Sequence, residues 1–504
     1  MPGSIAPVDG SLEAVHERAR PAPGTAPPES RNDPADGSSD PASEFTTGPV
    51  IVSDDILRNR SGSSRIGSTR GGRHLYRSSW LLRCWQRARR HPIRAALLAA
   101  FVLLAPVWWS LGSALTNPAL GVSASARAAE WVRDHGGRSI VVWAENTWYS
   151  LHPPPVGGKP PAGKVWNPAT RHAGSTAATG SGSRGTASPT TTLPPTLPSP
   201  LPLAPVASPP IPGEGQWKPA GRYVDGVPAI YETFMRPDSV HTSVVDGIAW
   251  MDTDLLSATL YSGTYIPGGG PWTNSAPISP SAAETLVAAF NAGFRMQDSQ
   301  GGYYTEGKMV APLRAGAASL VIYDDGSVNI GAWGTDMTMS PGVASVRQNL
   351  VLLVDGGRPA ADLNSNDTSV WGYTLGNKVF VWRSGVGITA DGALVYVGGP
   401  DLNITDLADL LVRAGAIRAM ELDINTGWVN FATYQPSAST GVATPADGTD
   451  LLSTMSGSPS RYFTPSWSRD FFTMSARNGA PGRPNPATSL GAPRIPVQIH
   501  RPSG

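Results

Sequence analysis

An uncharged run of twenty-one residues, "AALLAAFVLLAPVWWSLGSAL" from Ala95 to Leu115, constrains this chain more than any other stretch. As one helix it rises about 32 Å, which matches the hydrocarbon thickness of a bilayer. The segment before it supplies Arg83, Arg87, Arg89, Arg90 and Arg94, and no basic residue follows until Arg127. That asymmetry places the N-terminus in the cytoplasm and everything beyond the run outside. Some ninety residues precede it and it exceeds the length of a signal peptide's apolar core, so the reading is an uncleaved signal anchor. Pro106 is compatible with a membrane helix. The expected localisation is the cell membrane, single-pass through residues 95–115, with the basic juxtamembrane segment at 80–94.

A chain of 504 residues exceeds what one hydrophobic core usually organises, and its 56 Gly and 49 Pro are unevenly spread. Residues 1–79 mix Ser, Gly, Pro, Asp and Arg without apolar spacing and read as a disordered cytoplasmic tail, and 477–504 read as a disordered C-terminal tail. Residues 116–151 read as a membrane-proximal helical segment with Trp143, Trp148 and Tyr149, suited either to a collar at the interface or to packing on the outer domain. Residues 152–215 read as a Pro/Gly/Ser-rich linker. Stretched as polyproline II, such a stalk would reach roughly 190 Å at most. Net charge is +1, which offers no footprint for nucleic acid, and the single Cys84 rules out an internal disulfide.

Residues 216–476 change texture to short apolar runs broken by Gly, Asn and Asp, and read as a globular domain of mixed α/β (α+β) class. Strand candidates include "ASLVIYDDGSVNIGAW" with its Asp-Asp-Gly turn, "QNLVLLVDGGRP", "KVFVWRSGVGITADGALVYVGG" turning at Asp391-Gly392, and "AIRAMELD". Two helices are expected, one with a capping box of Ser281 and Glu284, the other with Thr405 as N-cap and Gly415 as stop.

Strand alternation over 416–423 puts Ala419, Glu421 and Asp423 on one face and Met420 and Leu422 on the other. Two carboxylates on a half-buried face suit an acid and base pair for glycoside cleavage, whereas Glu421 at an edge and Asp423 in a turn would suit a structural role. Asn291 closes "FNAGF", where an amide holds sugar hydroxyls or caps a turn with Gly293 at positive φ, and Glu306 lies beyond a Tyr-rich loop. Arg383, beside Ser384, ends an apolar run, and its guanidinium needs either a phosphate or an internal carboxylate such as Asp423 or Asp355. Few His remain beyond the linker, so no zinc site is expected. "DLNSND" at 362–367 resembles the start of a calcium loop, but its sixth position is Asp367 and its twelfth Tyr373, leaving calcium as the only cofactor with any support.

The ordered set "FNAGF", "VLLVDGGRP", "WRSGVGITADGALVYV", "ITDLADLLVRAGAIRAMELDINTG" and "SRDFFTM" resembles the phosphodiester glycosidase family over roughly residues 220–476. The resemblance implies hydrolysis of a glycosyl phosphodiester, with Asp423 and Glu421 as carboxylates, Arg383 as phosphate clamp and Asn291, Ser384 and Glu306 as substrate contacts. The family's Leu-Asp-Gly-Gly-Gly-Ser reads here Leu422, Asp423, Ile424, Asn425, Thr426, Gly427, so side chains enter space that glycines leave open. Asn425 would then supply a side-chain amide and Trp428 a ring face for a sugar. The expected function is a membrane-anchored, extracytoplasmic hydrolase of a glycosyl phosphodiester or related envelope glycan in a bacterium. The alternative is a non-catalytic glycan-binding or envelope-scaffold module.

Overall fold

The computed structural model describes residues 89–121, 123–161, 196–363, 368–371, 380–455 and 459–477, with Trp85 and Gly457. It is a mixed helix and sheet architecture with three antiparallel sheets among the described residues. The eight-stranded sheet has at its centre Asp246–Met251, Leu394–Leu402, Val381–Thr389, Ala416–Glu421 and Leu352–Asp355, side by side. A five-stranded sheet contains Phe431–Tyr434, Leu286–Asn291, Phe471–Ala476 and Leu256–Tyr261 in that order. The third sheet is built around Val343–Gln348 and the hairpin Ala318–Tyr323/Val328–Ala332, whose turn holds Gly326 at φ +75°.

Period-two alternation in Ala416–Glu421 distributes its residues between two cores, as the sequence implies. Met420 and Leu422 join the core enclosed by the sheets, with Phe290, Ile322, Val386, Phe431 and Phe472. Ala419 faces the other side, under the helix Ile404–Arg413, joined there by Ala416, which leaves the two-residue period where the strand's register shifts. That helix buries Leu407, Leu410 and Leu411 completely, each contributing about 1.5–3 kcal/mol. Close approach depends on Gly385 and Gly387, where a Cβ would come within 2.9 Å of Leu411 and 2.6 Å of Ala416. Its N-cap is Asn403, whose side chain accepts from the Asp406 amide at 2.8 Å, and not Thr405. Asn403→Ala should therefore lower stability by about 1 kcal/mol, read as a shift of the urea midpoint, while Thr405→Ala should leave it unchanged. The first expected capping box also shifts: Ser279 caps the short helix Pro280–Ala283, and Glu284 follows it.

The apolar run departs from the expected single span. Pro92–Leu103 and Ala105–Thr116 are separate helices bent by 53°, and among the described residues no single helix is long and apolar enough to cross a membrane. The break has a local cause: Pro106 has no amide to donate to Val102 and its ring crowds that turn, so the second helix starts afresh with the proline in its first turn.

The segment that could have served as a collar packs on the domain instead. Ala124–Val132 and Arg138–Leu151 form a helical hairpin kinked at Gly136, where φ is +84°. Arg127 donates to the carbonyls of Leu115 and Gly121, and the Trp131 indole to Ser110, tying the hairpin to the end of the apolar helix. The linker expectation for 152–215 also needs correction. Gly157 donates to the Val240 carbonyl, and residues 196–215 lie against the large sheet, with Leu203 donating to Gly215 and Trp217 to the Leu201 carbonyl. Within this stretch Glu214 is buried against Arg236 at 2.8 Å. Both described ends, 152–161 and 196–215, thus rest on the same body. The amides of Leu197, Leu203, Ile211, Glu214 and Gly215 find acceptors there, and the side chains of Leu197, Leu203 and Val206 find an apolar face. The calcium-like stretch lies mostly outside the described residues.

Candidate active site

Three chain segments meet at Asp423. The strand Ala416–Glu421 ends two residues earlier, and the Asp423 amide donates to the Ala292 carbonyl at 3.1 Å. Its carbonyl accepts from the Ser384 amide at 3.2 Å and the Ser384 hydroxyl at 2.8 Å. Asn291 completes the network, donating to Ser384 Oγ and the Ala292 carbonyl at 3.0 Å each and accepting from Tyr396 Oη and the Asn430 amide. "NAGF", "RSG" and "ELD" are stitched together by groups that all lie in the backbone or one residue away from it. Gly293 serves this junction through its missing side chain, since a Cβ would sit 3.1 Å from Asn349. Its φ is not positive, contrary to the turn reading.

The Asp423 side chain turns outward. Oδ1 accepts from the Ile424 amide at 2.8 Å and Oδ2 lies 3.7 Å from Arg469 Nη1. Burial pushes its carboxyl up to about 6, against the opposing pull of Arg469 and the Ile424 amide. The Arg469 guanidinium stacks 4.3 Å above the Trp428 ring, which packs edge-on against Trp467. Asn425 Oδ1 accepts from the Gly427 amide, fixing the turn that brings Trp428 back to the site. Asp423, Ile424, Asn425, Trp428 and Arg469 line a cavity of about 90 Å³. Its opposite wall comes from the helical hairpin, through Glu130, Glu145 and Tyr149. A carboxylate raised by burial, an aromatic face and a guanidinium around one hollow can bind a sugar and move a proton beside it. Among the described residues, no group of three or more His, Cys, Asp and Glu is placed to hold a metal ion.

Residues 284–423 match the phosphodiester glycosidase family. The matched segment ends on Asp423. Among solved structures, the catalytic domain of zebrafish N-acetylglucosamine-1-phosphodiester alpha-N-acetylglucosaminidase is similar over 52 % of this chain and 88 % of its own, at 16 % identity and TM-score 0.33. A hypothetical protein from Synechocystis is similar over 52 % of this chain and 64 % of its own, at 11 % identity and TM-score 0.28. An exported protein of Burkholderia pseudomallei K96243 is similar over 46 % and 74 %, at 12 % identity and TM-score 0.20. No curated protein matches the chain.

The sequence-derived site divides in the fold. Asp423, Asn425 and Trp428 share the cavity. Glu421 and Arg383 do not line it; they pair with each other at 2.6 Å, both essentially without exposure. Burial raises the Glu421 carboxyl and Arg383 opposes it. The register explains the pairing. Gly385 stands opposite Glu421 on the neighbouring strand, so Arg383, two residues on, projects from the same face. Arg383 Nε also donates to the Leu402 carbonyl at 2.9 Å. It is therefore an internal partner and not a phosphate clamp, and the acid and base pair of Glu421 with Asp423 is not formed. Asn291 and Ser384 position Asp423 from behind, their polar atoms taken up by protein partners. Glu306 sits at φ 49°, accepts from the Thr273 and Asn274 amides, and lines a separate cavity of about 520 Å³.

Among the cavity residues that escaped the sequence reading are Arg469, Arg295 and Glu130. Arg469 stood inside "SRDFFTM", one of the segments carrying the family resemblance, and could have been weighed there. Arg295 directly follows "NAGF", without a pattern of its own. Glu130 lies some 290 residues before Asp423, and no local signal in the sequence connects the two.

Proposed function

We propose that this protein is a membrane-associated glycosidase whose outer domain hydrolyses a glycosyl phosphodiester, with Asp423 as general base. The observation that supports it most is the buried Asp423 carboxylate opening on a hollow walled by the Trp428 ring and Arg469. Water attacks the anomeric carbon, Asp423 takes its proton, and the bond from that carbon to the phosphate oxygen breaks. The departing group is a phosphate monoester, which is weakly basic because its second pKa is about 6. It needs no proton donor to leave, so one carboxylate suffices where an ordinary glycoside needs two. This accommodates the diversion of Glu421 to Arg383.

The bent pair of apolar helices would seat the protein on the extracytoplasmic side of a bacterial cell membrane, with the cytoplasmic tail behind it. Exposed Ile140, Trp143, Trp148 and Leu151 on the hairpin suit the same surface. On that reading the site works close to the bilayer, on an envelope carbohydrate carrying a phosphodiester. The step as proposed calls on no cofactor.

The test is release of free sugar from a panel of sugar-1-phosphodiesters and isolated envelope polymers by the full chain in detergent. Because the base acts when ionised and its carboxyl lies at about 6, kcat/KM should be flat above pH 7 and fall tenfold per pH unit below pH 5.5. Sugar binding without release from any substrate across pH 5–9 would overturn the hydrolase in favour of a glycan-binding module.

A further inference from the structure

The cavity beside Asp423 holds two arginines whose hydrogen-bonding capacity is incompletely used. Arg295 and Arg469 are 3 % and 8 % exposed and approach the cavity from different elements. Between them sits the Glu130 carboxylate of the hairpin, itself 6 % exposed. Glu130 Oε2 lies 2.9 Å from Arg295 Nη1, and Oε1 lies 3.8 Å from Arg469 Nη2. Arg295 also reaches Asp134 Oδ1 at 2.9 Å and Asp298 Oδ2 at 3.2 Å. Arg295 Nη2 and Arg469 Nη1 nevertheless remain buried without a hydrogen-bond acceptor. Leaving such charged donors unserved in a buried site is costly, and an oxyanion would serve both.

We propose that Arg295 and Arg469 form an oxyanion subsite for the phosphate of the substrate, and that Glu130 occupies it as an internal stand-in. The proposal rests on the hydrolase reading above and names where that substrate's phosphate binds. A planar carboxylate brings two oxygens in one plane, whereas a tetrahedral phosphate directs its oxygens to both guanidinium forks at once. The subsite adjoins the base: Arg469 spans it, with Nη2 toward Glu130 and Nη1 toward Asp423. A phosphate there would bring the sugar it carries beside Asp423 and the Trp428 face.

Space argues that the stand-in has to leave. With the hairpin seated the cavity is about 90 Å³, below the ~300–1,000 Å³ typical of ligand sites. Departure does not orphan the Glu130 charge, because Arg133 on the same hairpin holds Oε1 at 2.8 Å and bridges to Glu145 at 2.6 Å. The hairpin therefore carries its own counter-ion, and the domain's arginines become available when it lifts.

The experiment is titration of the full chain in detergent with inorganic phosphate, followed by calorimetry, at pH 7.5 and fixed ionic strength. Glu130→Gln keeps the shape and removes the competing charge, and should tighten phosphate at least tenfold relative to the wild type. Adding Arg295→Lys to Glu130→Gln, which keeps the charge but not the fork, should abolish the gain. Glucuronate, a carboxylate on a sugar, should bind Glu130→Gln at least tenfold more weakly than phosphate. Unchanged phosphate affinity in Glu130→Gln, a gain that survives Arg295→Lys, or equal binding of glucuronate would each overturn the subsite. Dihexanoylphosphatidylglycerol should not compete with phosphate; competition would assign the subsite to a lipid headgroup and overturn the sugar-phosphate assignment. Asp423→Asn removes a second carboxylate that faces Arg469 and should bind phosphate no more weakly than the wild type. A subsite that behaves as expected in a protein that releases no sugar would defeat the hydrolase reading alone, and sugar release without the Glu130 effect would defeat the subsite alone.

Discussion

Asp423→Asn should lower kcat/KM for sugar release by 10²–10⁴-fold, the range for removing a positioned general base. The substitution isolates the charge from the fold. An amide oxygen still accepts from the Ile424 amide, and the backbone bonds to Ala292 and Ser384 do not involve the side chain. Stability should move the other way. In the folded protein the carboxyl is raised to about 6 by burial, above its ordinary value near 4. The folded state then holds the proton more tightly than the unfolded one, so the group's contribution is fully present below about pH 4 and is lost as pH rises through 6. Above pH 6 the wild type must keep a buried carboxylate ionised, and Asn avoids that cost. The variant should melt at the same or a higher temperature at pH 7.5, and the difference should shrink toward pH 4. Unimpaired release by Asp423→Asn would remove the base assignment. A variant that lost both activity and melting temperature would show a structural role instead.

Glu421→Gln should destabilise the fold by about 3–5 kcal/mol, the usual cost of removing one partner from a buried ion pair. The reason is Arg383, which has no exposure and meets the Glu421 carboxylate at 2.6 Å. Without it a guanidinium charge stays in a low-dielectric interior. Arg383→Leu should do comparable damage by stranding the carboxylate. The double variant Arg383→Leu/Glu421→Leu should recover much of the loss, since it removes both charges and leaves apolar surface between strands that already pair. Urea midpoints at constant slope measure all three. If Glu421→Gln instead kept wild-type stability and abolished sugar release, Glu421 would be a catalytic residue after all. The two predictions thus separate neighbouring carboxylates by opposite signatures, activity without stability for Asp423 and stability first for Glu421.

The contrast between these residues shows how far the sequence reading reached. Alternation correctly sent Met420 and Leu422 to one core and Ala419 to the other. Turn chemistry found the hairpins at Gly326 and Gly392, both at positive φ, and motif order found the segment that matches the glycosidase family. Alternation then failed for function because the strand stops at Glu421. Beyond that point the two-residue period no longer governs direction, and Asp423 leaves the face it was expected to share. The N-cap was misplaced by two residues at Thr405 for a related reason. Both Asn403 and Thr405 can cap, and only the backbone angles at the helix start choose between them.

Local chemistry, which the sequence spells out by itself, settled where strands, turns and apolar helices lie. It also settled that Pro106 sits where an amide would be needed, although the resulting bend was seen only in the fold. What a charge meets is a different kind of fact. Arg383 meets Glu421 because two strands align in one register, and Glu130 meets Arg295 because a hairpin from the far end of the chain folds over the cavity. Coulomb and desolvation energies depend on distances between atoms that the chain brings together only on folding, so no reading of neighbours along the sequence could assign those partners.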